Sequence, residues 1–207
     1  MRTSHAERAL DEAFDAVVLA GGRARRMAGA DKPGLPVAGR SLAARVADAV
    51  RDAGRLIVVG PPRAELPHAI AVREDPPGAG PVPALRAGLA EVRAPWVALL
   101  AADLPFLRPR HVAALLNAAR DAEGGGAVMV DDEGREQWLL GCWRAARLSA
   151  ALADYRGASL RGLLGPLEPV RVFLTGPDAA GRRPPWYDCD TPDALARARR
   201  LLTDGEE

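Results

Sequence analysis

AFDAVVLAGGRARRMAGADK, residues 13–32, is the stretch on which the fold turns. Its first eight residues form a short apolar run that Gly21 and Gly22 bring to a halt, so 13–20 reads as a buried strand. The glycine- and arginine-rich loop leads into SLAARVADAVRDAG (41–54), where apolar residues recur near helical spacing, Ser41 is placed to cap the start and Gly54 to stop the end. The alternation of elements continues, without an internal sequence repeat. RLIVVG (55–60) and HAIAVRED (68–75) read as strands and PALRAGLAEVR (83–93) as a helix. WVALLAA (96–102) is a strand running into DLPFL, followed by a helix at RHVAALLNAARDA (110–122) and a strand at GAVMV (126–130). This alternation predicts a three-layer α/β domain: a Rossmann-like, mainly parallel sheet with helices on both faces. Beyond Asp131 the rhythm loosens. QWLLGCW (137–143) and VRVFL (170–174) read as strands, RAARLSAALADY (144–155) and SLRGLLG (159–165) as helices, and TGPDAAGRRPP (175–185) as an exposed loop. A closing helix, TPDALARARRLL (191–202), is begun by Thr191 as cap and Pro192 in the first turn.

The 207 residues suit one domain spanning 1–207, with 1–13 as a short leader and 203–207 as a tail. A formal charge of +1 provides no global field to draw nucleic acid or an anionic membrane. The longest apolar run, 96–102, is far short of the roughly 20 residues that span a bilayer. Cys142 and Cys189 are too few for a disulfide framework or a zinc site, which points to a reducing, cytoplasmic setting. Asparagine occurs once, at Asn117, and alanine, arginine, glycine and proline abound. Against that bias Lys32 stands out, the only lysine among 28 basic side chains.

The glycine loop follows a strand and precedes a helix, where open α/β sheets bind ligands beyond the carboxyl ends of their strands. Gly21 and Gly22 let backbone approach a phosphate, and Arg23, Arg25, Arg26 and Lys32 gather cations within ten residues. The plain alternative is a tight turn with solvated arginines. Lysine offers what arginine does not, a compact ammonium on a flexible stem able to bridge phosphate oxygens. There is no G-x-x-x-x-G-K-[ST], which excludes a Walker A loop, and no G-x-G-x-x-G follows a strand. Asp103 comes directly after the strand 96–102, so its carboxylate emerges at the same sheet edge; one or two carboxylates with substrate phosphates is the usual way magnesium is held. Capping the next helix is the competing role, but that helix begins too late. Asp188 and Asp190 point the same way in an extended segment. They either complete a metal site or orient an attacking phosphate, or Asp190 assists capping of the last helix. Asp75, at another strand's carboxyl end, is placed to contact a ribose or base, with an ordinary loop aspartate as the alternative. His5, His68 and His111 fit no triad or metal spacing. Cys142 reads as core, and Cys189, flanked by aspartates, has a raised rather than a nucleophilic pKa.

LAGGRARRMAGADK (19–32), with REDPPGAGPVPALRAGL (73–89), AADLPFL (101–107) and DCDTPDAL (188–195), resembles the molybdenum cofactor guanylyltransferases within the nucleotidyltransferase superfamily. The likeness runs from Asp15 to Leu202. It implies a nucleotide-diphospho-sugar transferase-like fold and a reaction. A molybdopterin-type acceptor attacks the α-phosphorus of GTP, or of another NTP, and pyrophosphate leaves. It also implies Mg2+ as cofactor and molybdoenzymes or cofactor-biosynthesis proteins as partners, with no nucleic acid or membrane involved. Carried over residue by residue, Leu19, Ala20, Gly21 and Gly22 line the nucleotide, Arg26 and Lys32 hold its phosphates, Asp75 helps bind the nucleoside and Asp103 ligates magnesium. The chain departs from the pattern at 188–192, where Asp-Cys-Asp-Thr-Pro replaces the commoner Asn-x-Asn-Thr-Pro. Aspartate pairs occur in relatives that make cytidine dinucleotide cofactors, which keeps a cytidylyltransferase or another small-molecule guanylyltransferase as the alternative. Ala28 stands where glycine is usual, and Trp138 where proline is common. A non-catalytic carrier of pterin or nucleotide would have no need of Arg26, Lys32 and Asp103 together.

Overall fold

The computed structural model describes residues 12–21, 31–174 and 183–203. Nine strands and six helices alternate along these segments. They are β1 (Phe14–Leu19), β2 (Pro36–Val37), β3 (Arg40–Ser41), α1 (Leu42–Ala49), β4 (Leu56–Val59), β5 (Ile70–Val72), α2 (Pro81–Leu89) and β6 (Trp96–Ala101). After them come α3 (Pro109–Asp121), β7 (Gly126–Val130), β8 (Glu136–Arg144), α4 (Ala145–Asp154), α5 (Leu160–Leu164), β9 (Val170–Phe173) and α6 (Pro192–Thr203). Seven strands form one sheet in the order β5-β4-β1-β6-β8-β7-β9. All pair in parallel except β8, which runs antiparallel to both β6 and β7. The mainly parallel sheet expected from the sequence is therefore the one observed.

Strand alternation distributes the core between two faces. Ala16, Val18, Ala98 and Leu100 face α1 and α3, which contribute Val46, Ala49, Val112, Leu115 and Leu116. Val17, Leu19, Val97 and Leu99 face the other layer, with Leu85 and Leu89 of α2, Leu148 and Leu152 of α4 and Leu163 of α5. Strands buried on both faces read as continuous apolar runs, which is why β1 and β6 are so plain in the sequence. Asp15, the one charged residue of β1, is 2% exposed, and its Oδ2 accepts from Arg93 N–H at 2.7 Å and Ala94 N–H at 3.0 Å. That carboxylate ties the entry to β6 onto β1 and so satisfies its own burial.

The structure shifts several expected boundaries. α1 ends at Ala49 rather than running to Gly54, because Val50 leaves helical geometry and Gly54 N–H is taken by Phe14 O of β1 at 2.9 Å. α2 starts two residues early at Pro81, whose fixed φ suits the first helical turn. The β2–β3 hairpin had no strand signal in its sequence; Ala38 and Gly39 both take positive φ, 46° and 72°, the geometry of a tight primed turn. Thr191 Oγ1 accepts from Ala194 N–H at 3.1 Å and caps α6, which leaves Asp190 free of that task. Among the described residues no helix is long and apolar enough to cross a membrane.

The sheet's chain order reverses beside β1. β4 lies on one side of it, and after β5 the chain crosses to place β6 on the other side. Such a switch point opens a crevice at the carboxyl ends of the two flanking strands.

Candidate functional site

A cleft of about 480 Å³ opens at that crevice. Ala102 N–H donates to Leu19 O at 3.1 Å, which locks the end of β6 to the end of β1 and sets Asp103 beside Gly21. Lys32 enters from a single 3-10 turn, Lys32–Gly34, started by Pro33 and closed by Leu35 N–H on Lys32 O at 3.1 Å. The third side is Asp190, brought in by the end of the chain. Cys189, Leu195, Ala198 and Leu202 pack on Val37, Leu42 and Phe106 in a small separate core. The Phe106 and Tyr187 rings meet at 5.3 Å, and Tyr187 Oη donates to Ala194 O at 2.9 Å. Phe106 lies three residues past Asp103, so one aromatic pair docks the segment carrying Asp190 beside the loop carrying Asp103.

At the centre, Lys32 Nζ donates to both Asp103 Oδ2 and Asp190 Oδ1. The Lys32 and Asp103 side chains are 13% and 16% exposed, and that of Asp190 is 50% exposed. Burial opposes the lysine's charge, but the Asp103 carboxylate, helped by Asp190, outweighs it and holds the ammonium above its ordinary titration range. Asp188 is shifted the other way for a carboxyl: neighbouring protein crowds it, then Asp190 and Asp103 repel it, and Lys32 only partly compensates, so its pKa is raised. Two carboxylates thus accept from one ammonium, with a third, Asp188, within electrostatic reach, so these four side chains carry an excess of negative charge. The Cys189 thiol is pushed up to about 12, by burial first and then by Asp103, and is no nucleophile at neutral pH. Burial raises the Cys142 thiol as well, in keeping with its place in the core.

The loop bearing Lys32 has its own anchor. Arg63 is 4% exposed at its side chain and grips Asp31 with both ends of the guanidinium, Nη1 to Oδ2 at 3.0 Å and Nη2 to Oδ1 at 2.7 Å. Hydrogen bonding to Arg63 lowers the Asp31 pKa. Gly34 makes room for this pair, since a Cβ there would sit 2.3 Å from Asp31 Oδ2. A bidentate grip of this kind fixes direction as well as position, and so orients the residue next in sequence, Lys32.

Of the residues expected from sequence, Leu19, Gly21, Lys32, Asp103 and Asp190 line the cleft, and Ala20 is buried behind them at the end of β1. Asp188 lies beside the cleft without lining it, within electrostatic reach of Asp190 and Asp103. Gly22 and Arg26, with Arg23 and Arg25, lie outside the described residues. Asp75 is exposed at the edge of this region, and the cleft wall itself is lined by the preceding residue, Glu74, which is buried. Neither Glu74 nor Arg63 stands out in the sequence, Glu74 as one charge in an Arg-Glu-Asp string and Arg63 because its partner lies 32 residues away. His68 is exposed, and His111 is buried in α3, where its Nδ1 accepts from Arg108 N–H at 3.2 Å. His5 lies outside the described residues.

The model of the MobA-like NTP transferase domain matches residues 16–170. The chain belongs to that family. Its members are nucleotidyltransferases. Over 204 residues the chain is 32% identical to the molybdenum cofactor guanylyltransferase of Rhodopseudomonas palustris (strain BisB5), covering 91% of this chain and 94% of that one. The molybdopterin-guanine dinucleotide biosynthesis protein A of Archaeoglobus fulgidus has the same fold, with a TM-score of 0.69, 21% identity and coverage of 92% and 99%. The 2-C-methyl-D-erythritol 4-phosphate cytidylyltransferase of Thermus thermophilus also shares it, with a TM-score of 0.65, 21% identity and coverage of 92% and 99%.

Proposed function

We propose that this MobA-like enzyme is a magnesium-dependent guanylyltransferase of the cytoplasm that transfers GMP from GTP to a molybdopterin-type acceptor. One domain spanning the chain holds both substrates. The observation that carries this reading is the ammonium of Lys32 held between Asp103 and Asp190 at the switch-point cleft. A phosphate oxygen of the acceptor attacks the α-phosphorus of GTP, the bond to the bridging oxygen of the β-phosphate breaks, and the electron pair leaves with pyrophosphate. Such transfers ask little covalent help of a protein, so positioned charge supplies most of the rate. Lys32 binds and orients the triphosphate and offsets charge that builds on its oxygens, and Arg26 adds a second cation. The carboxylates fit a divalent ion, because a carboxylate pair with an excess of negative charge is the donor set magnesium takes alongside phosphates. Asp103 would hold it with Asp190, and once bound it would neutralise charge developing on the transferred group.

Thermal unfolding with GTP, CTP and ATP, each with and without Mg2+, tests the reading. At a hundred times Kd a ligand adds about 2.7 kcal/mol, a Tm rise of roughly 5–10 °C for a chain of this size. GTP with Mg2+ is expected to give that rise. A larger rise with CTP would move the chain to the cytidylyl alternative, and no Mg2+-dependent rise with any nucleotide would remove the enzyme reading.

A further inference from the structure

Glu74 is 7% exposed, although it carries a carboxyl group, and it forms part of the cleft wall. Its Oε1 accepts from Gly78 N–H at 2.8 Å. Its Oε2 is buried and has no hydrogen-bond partner among the described residues. Both oxygens lie beside Gly21, 3.7 and 3.9 Å from where a Cβ on that residue would be. The wall continues through Gly80, whose positive φ of 110° favours glycine and beside which nothing lies within 4 Å of where a Cβ would be. Buried polar atoms are almost always paired, so an acceptor left empty in a cleft wall calls for a donor. Here the bound ligand would supply it.

We propose that Glu74 is the base-specificity residue, accepting the N1–H and 2-amino hydrogens of guanine. The inference rests on reading the cleft as a nucleoside triphosphate site. An ionised carboxylate is acceptor-only, with room for further hydrogen bonds at both oxygens. Guanine presents two adjacent donors on its pairing edge. Adenine and cytosine each set one amino donor beside a ring-nitrogen acceptor, and uracil sets one N–H between two carbonyls. Only guanine satisfies Oε2 and the remaining capacity of Oε1 without bringing an acceptor against an acceptor, so the group both attracts guanine and repels the others.

Binding of GTP, ITP, 1-methyl-GTP and XTP, each with Mg2+, to the wild-type chain and to Glu74→Gln tests this. For the wild type, ITP lacks the 2-amino group and 1-methyl-GTP lacks the N1 donor, and each is expected to bind about 10–100-fold more weakly than GTP. In Glu74→Gln the amide oxygen keeps the Gly78 N–H and the amide nitrogen becomes a donor. Affinity for GTP should then drop by a similar factor, and the XTP-to-GTP affinity ratio should rise at least about tenfold, because XTP offers a 2-oxo acceptor. The Tm without nucleotide reports whether the variant folds, and the wild-type analogue series needs no substitution. Equal wild-type affinity for GTP, ITP and 1-methyl-GTP overturns the proposal. So does a folded Glu74→Gln with wild-type ratios, while leaving the nucleotide site standing. Wild-type preference for ATP or CTP over GTP overturns both this assignment and the guanylyl reading.

Discussion

In Lys32→Arg, kcat/KM for GTP should fall at least about 100-fold, the usual cost of losing one positioned donor at a developing negative charge. The substitution keeps the formal charge, so the loss isolates geometry. Nζ of Lys32 reaches Asp103 and Asp190 as a single compact donor in a site where its side chain is 13% exposed. A planar guanidinium on a different stem cannot occupy that point and also turn to the phosphates. Folding should survive, since both carboxylates keep a cation within reach. Steady-state kinetics together with a Tm measurement separate the two effects, and near-normal turnover would refute the role given to the ammonium. The raised pKa of Lys32 also fixes the pH window. The ion pair's contribution is complete below the ordinary lysine range and fades only as pH climbs through the raised value, so neutral assays read it in full.

Asp103→Asn should cost more, about 1000-fold in kcat, and should abolish the Mg2+-dependent part of the nucleotide-induced Tm rise. The amide retains the shape and one acceptor oxygen but no charge. That leaves Asp190 as the carboxylate in contact with Lys32 and removes the strongest influence raising the lysine's pKa. The structural penalty is modest, because Asp103 contributes no cap to α3 and Lys32 keeps Asp190 as a partner. Asp190→Asn should lie between the wild type and this variant, given its 50% exposure. Full Mg2+ response in folded Asp103→Asn would place the metal elsewhere.

How far the sequence could be read depended on how local each feature is. β1 and β6 are legible because burial on both faces demands unbroken apolar runs, and their ends carry Gly21 and Asp103 to one edge by sheet geometry alone. Lys32 is legible because a single lysine in an arginine-rich chain is a compositional exception. The Lys32–Asp190 contact joins residues 158 positions apart and depends on the small core around Cys189 and Phe106, which no local pattern announces. The place of Glu74 in the cleft wall has a similar cause: two adjacent carboxylates follow β5, and the Gly78 N–H that Glu74 accepts comes from a turn four residues on, which the local sequence pattern does not announce. The hairpin at 36–41 is silent in the sequence because its strands are two residues each, too short for any periodicity.

GTP labelled separately at its α- and γ-phosphorus, incubated with the enzyme, Mg2+ and molybdopterin cofactor, tests most directly whether this cleft performs nucleotidyl transfer. The α-label is expected in the acceptor and the γ-label in pyrophosphate. Release of the γ-label as inorganic phosphate, or an acceptor that gains no α-label, would contradict it.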